Sequence, residues 1–454
     1  MRANVGGGRP WGRSAPGARP SAATTPRAVL ILSAAMGEGH NAAARALTEA
    51  MRQQWPECSI EQLDIVELRG PHFAEALRWS YGFQLRVVPG TYQWLYDVLC
   101  RRHLFTVLLK AVFGSFFGRR LAPTLAGRQP DLVVSTYPLA SAALDWLRSK
   151  RGYRVPTVTY IPAFHVHPVW TYPGIDLHFV MYDSAAEDAR TPGVESSLVV
   201  GAPPVRHGFG DLSRAKARAE LGLAEDAFIV LMTGGAWGLG SLERGVRGLV
   251  DLPPASPVQV IAVCGKNETL RQRLHALGAP QERLWILGYV DTMPTLMAAA
   301  DVVVTNGAGV TVLEALRTPR PVIAFEPLAG HGRAATEVME RLDLALVCDD
   351  PDDLVAAVQQ LSSDGEVLSR LERAGSNFVR GKNLEASMRS MAALVSEHHS
   401  GGHRADGARG RRPENDHGAA EGSRPSASQN GARPAGHGSS IDGGDRPHGE
   451  ELRS

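Results

Sequence analysis

The chain alternates short runs of β-branched and aliphatic residues with longer stretches in which apolar residues recur at helical spacing. The runs predicted as strands are RAVLILSA, PDLVVSTYP, PTVTYI and DLHFVMY in the first half, and AFIVLMTGG, VQVIAVCG, RLWILGYV, DVVVTN and RPVIAFE in the second. Strands separated by helices pair in parallel and are covered by helices on both faces. The pattern therefore predicts an α/β protein.

A break in this pattern divides the folded part of the chain. Two prolines and two glycines in GAPPVRHGFG interrupt regular structure before the next helix begins. We therefore predict an N-terminal domain over residues 27–205 and a C-terminal domain over residues 206–398, each a doubly wound, Rossmann-like sheet. Ligands bind such sheets at the carboxyl ends of the strands, so the cleft between the two domains is the expected site.

Composition and charge exclude some classes of protein. Of the 454 residues, 44% are hydrophobic and 21% are charged, and the formal net charge is +1, so no overall field attracts nucleic acid. Residues 1–26 and 399–454 are predicted to be disordered, because they carry few side chains that a core can bury. No stretch has the apolar pattern of a secretory signal or a membrane span, and a cytoplasmic location is expected.

The first predicted strand leads into a loop that contains two glycines and a histidine. In AMGEGHNAAARAL, Gly37, Gly39 and His40 lie at the turn, and a helix is predicted from about Asn41. Glycines let the backbone approach a ligand, and free amides at a helix N-terminus suit an anion or a hydroxyl. His40 is a candidate general base at neutral pH. The alternative is that His40 only caps the helix.

A second glycine-rich turn follows the run DVVVTN. Asn306, Gly307, Ala308 and Gly309 form this turn, and Glu314 lies on the helix that follows. Such a turn is typical of a diphosphate site, and an acid further along the helix can accept hydrogen bonds from ribose hydroxyls. A single turn of this kind often does no more than close a loop, so its neighbours matter.

Three further loops follow predicted strands of the same domain, and they contain TGGAWGLG, LGYV and EPLAGHGRAA. We expect all four loops at one edge of one sheet, where an aromatic ring flanks a flat base and basic side chains meet phosphate or sugar oxygens. Together they predict a nucleotide-sugar site. The candidate donor-binding residues in these three loops are Gly234, Gly235, Gly288, Tyr289, Gly330, His331, Gly332 and Arg333.

These motifs resemble the family of monogalactosyldiacylglycerol synthases and diacylglycerol glucosyltransferases, which is related to the N-acetylglucosaminyltransferase that completes the lipid-linked peptidoglycan precursor. The similarity extends from ILSAAMGEGHNAAARAL through VSTYPLA and HPVWTYPGIDLHFV to TNGAGVTVLEALRTPRPVI. The resemblance implies a GT-B fold and no bound metal or other cofactor. It also implies an inverting transfer of glucose or galactose from UDP-glucose or UDP-galactose to a lipid hydroxyl, such as that of diacylglycerol.

The resemblance assigns roles to single residues. His40 matches the family's Gly-x-Gly-His position near the acceptor, and Glu314 matches the acid that holds the ribose. Residues 306–309 match the diphosphate turn, and the GHGR segment matches the loop at the donor sugar. Two positions depart from the family pattern: Ala163 stands where relatives often carry an acid, and Ala308 stands in place of a glycine. The first departure bears on the acceptor more than on the donor.

Residues 71–128 are rich in aromatic and aliphatic side chains and carry many arginines. Helices of this composition can lie in a lipid interface. The alternative is a helical insertion that packs its aromatic residues on the N-terminal sheet. The resemblance favours a peripheral contact with an anionic membrane surface, at the inner face of the membrane. The candidate membrane-contact residues are Arg101, Arg102, Phe116, Phe117, Arg119 and Arg120.

Other functions are compatible with the same residues. A glycosyltransferase with a soluble small-molecule acceptor is favoured by Ala163, and a nucleotide-sugar 2-epimerase shares the architecture but needs no acceptor groove. A non-catalytic sensor would bind a UDP-sugar without turnover. His165 and His167 form an H-x-H pair, but no third ligand accompanies them, and no metal site is predicted.

Overall fold

The computed structural model describes residues 25–101, 103–188, 194, 197–307 and 309–409. The predicted N-terminal tail, residues 1–26, lies outside the described residues except for residues 25 and 26. The predicted C-terminal tail, residues 399–454, lies outside them from residue 410 onward. Arg102 and Ala308 also lie outside them. Within the described part, the chain forms two six-stranded sheets in which every paired strand is parallel.

The first sheet contains β1 (Ala28–Ser33), β2 (Ser59–Asp64), β3 (Leu132–Ser135), β4 (Thr157–Tyr160), β5 (Leu177–Val180) and β6 (Leu198–Val200). The second contains β7 (Phe228–Thr233), β8 (Val258–Val263), β9 (Leu284–Leu287), β10 (Val302–Thr305), β11 (Val322–Phe325) and β12 (Ala345–Cys348).

The helices α1 to α6 are Gly39–Gln54, Pro71–Val87, Pro89–Arg101, His103–Arg128, Pro138–Arg151 and Asp183–Asp188. The helices α7 to α11 are Arg214–Leu221, Leu242–Val250, Glu268–His275, Met293–Ala299 and Val310–Arg317. The helices α12 to α15 are His331–Arg341, Pro351–Ser363, Gly365–Val379 and Leu384–Arg409, and short 3₁₀ turns occupy Glu67–Arg69 and Pro168–Trp170. Thus α15 extends past residue 398, where the prediction ended the folded part.

The strand order is β2-β1-β3-β4-β5-β6 in the first sheet and β12-β11-β10-β7-β8-β9 in the second. Both sheets are doubly wound, which confirms the predicted fold class. In each sheet the chain first builds outward on one side and then returns to build on the other. This reversal falls between β1 and β3 in the first sheet and between β7 and β10 in the second. Such switch points open a crevice at the carboxyl ends of the strands.

Three strands escaped sequence prediction, and all three lie at sheet edges. β2 reads SIEQLD and none of its side chains is fully buried, whereas β6 and β12 are only three and four residues long. The central strands β1, β3, β7 and β10 are buried on both faces and read as continuous apolar runs. Apolar runs therefore reveal the central strands and the apolar edge strand β9, which reads LWIL, but not the other three edges.

The end of the chain returns to the first domain. The side-chain nitrogen of Lys382 donates to the carbonyl of Met181 at 2.8 Å, and the hydroxyls of Ser387 and Tyr160 lie 3.1 Å apart. The range predicted for the C-terminal domain thus includes a segment that packs on the N-terminal one. The domain boundary at 205/206 remains a prediction. The structure adds a second place where the chain passes between the domains, after α14.

Residues 71–128 form α2, α3 and α4, and part of this insertion belongs to the core. Phe117 is fully buried, and the ring of Phe116 lies beneath the guanidinium of Arg69 at 3.6 Å. At Gly118, an added Cβ would lie 2.5 Å from the Trp146 ring, so α4 packs tightly against α5. Phe117 is therefore a core residue rather than a membrane contact. Arg119 and Arg120 are exposed, as a surface role requires.

A different set of apolar side chains on these helices faces outward. The exposed large apolar residues of α2 to α4 and of the α2–α3 junction are Trp79, Phe83, Val87, Val88, Trp94, Leu95, Phe105, Val107, Leu108 and Val112. Trp79, 69% exposed, stacks on Phe83 with ring centroids 5.3 Å apart. Across the described ranges, none of the helices has the length and apolar content that crossing a bilayer requires.

Candidate functional site

The loops at the two switch points hold most of the residues singled out in the sequence. The loop after β1 carries Gly37 and leads directly into His40, because α1 begins at Gly39, two residues before the predicted start. Gly37 adopts a φ of 78°, and the non-glycine Glu38 has a φ of 29°. This backbone turns sharply enough to bring His40 to the carboxyl edge of the sheet.

His40 is held by the neighbouring strand rather than by its own helix. Its Nδ1 lies 2.8 Å from the carbonyl oxygen of Thr136, in the loop after β3. A carbonyl only accepts hydrogen bonds, so Nδ1 carries the proton and Nε2 keeps a free lone pair. The residue that caps α1 is Glu38, which makes no side-chain capping bond. These contacts favour the general-base interpretation of His40 over the capping one.

The surroundings of His40 keep its ring neutral. The rings of Tyr137 and Trp170 lie 5.0 and 5.8 Å from it. Loss of hydration lowers the pKa of His40 to about 4, the hydrogen bond to Thr136 opposes this shift, and His331 of the other domain adds to it. At neutral pH the imidazole is therefore uncharged, and Nε2 carries a lone pair rather than a proton. Asn41 accepts from the Ser33 hydroxyl at 2.7 Å, which ties the strand end to the helix.

In the second domain, hydrogen bonds from asparagine side chains and from the backbone join neighbouring strand-end loops into a continuous row. The side-chain amide of Asn306 donates to the carbonyl of Leu239, and the Asn306 carbonyl accepts from the amide of Leu328 at 3.0 Å. On the other side, the Asn267 side chain donates to the Gly238 carbonyl at 2.9 Å. The loops after β11, β10, β7 and β8 therefore form one rim.

Glycine is required at several points of this rim. An added Cβ at Gly234 would lie 2.5 Å from the carbonyl oxygen of Leu239, and one at Gly240 would lie 1.9 Å from the Asn306 side-chain nitrogen. Gly235 has a φ of 69°. The Gly307 amide donates to the Thr305 hydroxyl at 3.3 Å, and Gly309 immediately precedes α11. The rim therefore presents backbone, with few side chains in the way.

The structure brings the predicted donor residues of three loops together but sets one loop apart. Gly330, Gly332 and the exposed His331 and Arg333 begin α12, next to the Asn306 turn. Gly288 and Tyr289 follow β9, which is separated from β10 by β7 and β8. Tyr289 is 51% exposed, and the Lys266 ammonium lies 5.3 Å from its ring centroid.

Glu314 lies on α11, buried at the junction between the domains. Burial raises its pKa to about 7, and the charges of Arg206 and Arg45 oppose that rise. Arg45 lies on α1, the helix that carries His40, and α1 packs against α11. The acid predicted to hold the ribose is thus surrounded by groups from both halves of the molecule.

Sequence reasoning missed several residues at this junction. Arg45 and Arg206 flank Glu314, and the Lys266 ammonium lies 3.8 Å from the Glu38 carboxylate across the cleft. Asn267 belongs to the same loop as Lys266. The segment CGKNE follows the predicted strand VQVIAVCG, so the rule that strand-end loops bind ligands would have found Lys266 and Asn267. The two arginines carry no local signal.

The segment that contains Ala163 leads to Trp170, whose ring lies 5.8 Å from that of His40. Ala163 is half-buried against the apolar core, so no carboxylate occupies its position. The Tyr96 hydroxyl lies 2.8 Å from His165 Nδ1, and His167 Nδ1 accepts from the Val169 amide at 3.0 Å. The H-x-H pair is thus engaged in hydrogen bonds. Among the residues that the structure describes, no three His, Cys, Asp or Glu side chains are arranged to hold a metal ion.

Comparisons with known proteins give two family matches and a group of similar enzymes. Residues 40–203 match the family model described as monogalactosyldiacylglycerol (MGDG) synthase, and residues 246–364 match that of glycosyl transferases group 1. The chain is 27% identical over 356 residues to a processive diacylglycerol beta-glucosyltransferase of Bacillus pumilus (strain SAFR-032), covering 77% of this chain and 90% of the relative. The enzyme of the same name from Bacillus mycoides (strain KBAB4) is 26% identical over 379 residues, covering 82% and 94%.

Solved structures support the architecture. Acinetobacter baumannii MurG superposes with a TM-score of 0.52 at 16% identity, covering 82% of this chain and 100% of that one. The S. aureus MnaA–UDP co-structure superposes with a TM-score of 0.51 at 12% identity, covering 86% and 100%. At these identities the likeness concerns the fold alone. The chain therefore has a GT-B fold and is similar to the glycosyltransferase family of monogalactosyldiacylglycerol synthases and diacylglycerol glucosyltransferases.

Proposed function

We propose that the protein transfers glucose or galactose from its UDP-sugar to the hydroxyl of diacylglycerol, with inversion at the anomeric carbon. The observation that carries this proposal is the state of His40. The Nδ1 proton of His40 is donated to the Thr136 carbonyl, and the Nε2 lone pair is free. His331 of the C-terminal domain is close enough to lower the pKa of His40. A neutral base therefore faces the rim of glycine-rich loops across the cleft.

The reaction follows from this arrangement. The acceptor hydroxyl gives its proton to His40 Nε2 while its oxygen attacks the anomeric carbon of the sugar. The bond from that carbon to the β-phosphate oxygen breaks, and UDP leaves with the electron pair. The N-termini of α11 and α12, with His331 and Arg333, stabilise the negative charge that develops on the diphosphate. No metal or other cofactor is needed for this scheme.

The donor half of the proposal rests on the second domain. The turn at 306–309 leads into α11, where a diphosphate suits the helix N-terminus. Glu314 lies further along the same helix and can accept hydrogen bonds from ribose hydroxyls once it is ionised. UDP is the nucleotide present in the MnaA co-structure that shares the fold. The choice between glucose and galactose depends on contacts to one sugar hydroxyl.

The acceptor half rests on the helical insertion and on the relatives. The Bacillus enzymes are named for action on diacylglycerol. In this chain, exposed Trp79, Phe83 and Val87 line a cavity of 520 Å³ together with Trp237, which lies in the glycine-rich loop after β7. An apolar surface thus continues from the outside of α2 to the donor loops. We propose that this surface lies on an anionic membrane at its inner face and admits the lipid.

The test is to incubate purified protein with UDP-glucose or UDP-galactose and diacylglycerol in anionic micelles, and to detect the glycolipid by mass spectrometry. We expect a glycolipid from at least one donor and its loss in His40→Ala. Binding of a UDP-sugar without glycolipid would reject the lipid acceptor. A soluble acceptor would then be favoured, as the apolar Ala163 at the acceptor side suggests, and a 2-epimerase would be recognised by conversion of the sugar nucleotide without any acceptor.

A further inference from the structure

One helix of the N-terminal domain reaches across the cleft to the loop that begins α12. The side-chain oxygen of Gln93, on α3, accepts a hydrogen bond from the backbone amide of Gly330 at 2.6 Å. Gly330 is the residue that caps α12, and residues 328–333 form the segment that we call the GHGR loop. No feature of the sequence linked Gln93 to the donor site, because it lies in the segment 71–128 considered for membrane contact.

The orientation of Gln93 is fixed by a second hydrogen bond. Its side-chain nitrogen donates to the Asp97 carboxylate at 3.0 Å, one turn along the same helix. An ionised carboxylate only accepts hydrogen bonds, so the amide nitrogen must face Asp97 and the amide oxygen must face Gly330. The acceptor for the Gly330 amide is therefore pre-oriented before the two domains meet.

Tyr92, the residue before Gln93, supports the same loop. Gly330 has a φ of 72°, and an added Cβ would lie 2.6 Å from Tyr92 Cε1. The tyrosine ring thus packs directly on the backbone of the GHGR loop. The Tyr92 hydroxyl lies 3.4 Å from His331 Nδ1. A glycine at 330 is what permits this close approach.

The contact extends to a second donor loop. The ring of Tyr81, on α2, lies 5.7 Å from that of Tyr92 and 6.1 Å from that of Trp237, in both cases edge to face. Trp237 belongs to the loop after β7. Two helices of the N-terminal domain therefore contact the rim of the second domain at two of its loops, and Gln93 hydrogen-bonds to the backbone amide at the start of α12.

We propose that Gln93, supported by Tyr92, is a positioning residue for the sugar of the donor. By holding the Gly330 amide, it sets where α12 begins and hence where His331 and the helix N-terminus stand relative to His40. This inference rests on the proposed function, because it concerns the same donor site. It adds that contacts made by the N-terminal domain contribute part of the affinity for the UDP-sugar.

The test measures binding of UDP-glucose and UDP-galactose by calorimetry, without acceptor, to the full chain and to the variant Gln93→Leu. Loss of one neutral hydrogen bond predicts an affinity about 3- to 10-fold weaker for the UDP-sugar that the wild type prefers. In the glycolipid assay, KM for the donor should rise by a similar factor while KM for the acceptor stays unchanged. Tyr92→Leu should weaken donor binding in the same direction.

Gln84→Leu is the matched control, since Gln84 lies on α2 and its side-chain nitrogen donates within the same helix, to the Ser80 hydroxyl at 3.4 Å. Wild-type donor affinity in Gln93→Leu would overturn the inference, and so would an equal loss in Gln84→Leu, which would indicate a general effect on the helices. If the wild type itself binds neither UDP-sugar, the result rejects the proposed function, on which the role of Gln93 rests. Normal binding by wild type and Gln93→Leu alike rejects only the role of Gln93.

Discussion

The two sides of the cleft use different parts of the polypeptide. On the N-terminal side, the switch point presents a side chain, His40, whose tautomer is fixed by the Thr136 carbonyl and whose ring lies near Tyr137. On the C-terminal side, the switch point presents backbone amides and carbonyls, because positions such as Gly234 and Gly240 have no side chain. A group that moves a proton must be a side chain with a suitable pKa, whereas a diphosphate is held well by amides and helix termini.

This contrast makes a general prediction about variants. Removing a side chain should matter most on the acceptor side, and adding a side chain should matter most on the donor side. Four changes test the contrast, in order of expected effect.

The largest effect is expected for His40→Ala. Loss of a positioned general base should lower kcat by about 10²- to 10⁴-fold, while the affinity for the UDP-sugar stays close to wild type. Initial rates of glycolipid formation and calorimetric titration of the donor measure the two quantities. His275→Ala, an exposed histidine on α9, is the control. Comparable kcat in the wild type and His40→Ala would remove His40 from the base role.

The next effect is expected for Gly240→Ala. Gly240 has a φ of 82°, and its new Cβ would lie 1.9 Å from the Asn306 side-chain nitrogen. The strain should lower the free energy of unfolding by about 1–3 kcal/mol and weaken donor binding by about tenfold or more. Urea unfolding and donor titration are the measurements. Gly365→Ala is the control because an added Cβ there meets nothing within 4 Å. Unchanged donor affinity in Gly240→Ala would contradict a backbone-built site.

A smaller, pH-dependent effect is expected for Glu314→Gln. The pKa of Glu314 is raised to about 7, so the fold favours its neutral form. Its contribution to stability is present below the ordinary pKa of a glutamic acid and is lost as pH rises through about 7. In the proposed scheme the ionised carboxylate holds the ribose, and its population rises about tenfold between about pH 6 and about pH 8, so wild-type donor affinity should rise by up to about tenfold over this range.

Glu314→Gln should show no such pH dependence of donor affinity, and above about pH 7 it should be no less stable than the wild type. Titrations at several pH values, with urea unfolding at the same values, provide the comparison. A wild-type affinity that stays flat over this range would argue against ribose contact by an ionised Glu314.

The smallest effect is expected for Lys266→Met. The Lys266 ammonium is exposed and lies 3.8 Å from the Glu38 carboxylate. Exposed ion pairs contribute about 1 kcal/mol or less, so donor affinity should fall by less than about fivefold. Titration at low and high salt should show that the difference shrinks as salt is added. A loss greater than tenfold would identify Lys266 as a direct ligand and would weaken the contrast between the two sides.

Much of the fold was predictable because the central strands of both sheets are buried on both faces. The edge strands β2, β6 and β12 were missed because an edge strand need not be apolar or long. The histidine and the glycine loops were found because they directly follow those central strands. Gln93, Arg45 and Arg206 were not found, since they act through contacts between elements far apart in the chain. Phe117 was misassigned because composition does not reveal which side of α4 faces α5.

The return of the chain to the first domain after α14 has a mechanical consequence. The two halves are joined covalently at two places, the segment between β6 and α7 and the segment between α14 and α15, and Lys382 and Ser387 bind the second crossing to the first domain. Two bodies connected at two points can turn about the line through those points, but they cannot swivel freely. This double connection favours a hinge rotation about the line through the two crossings over other movements of the two halves.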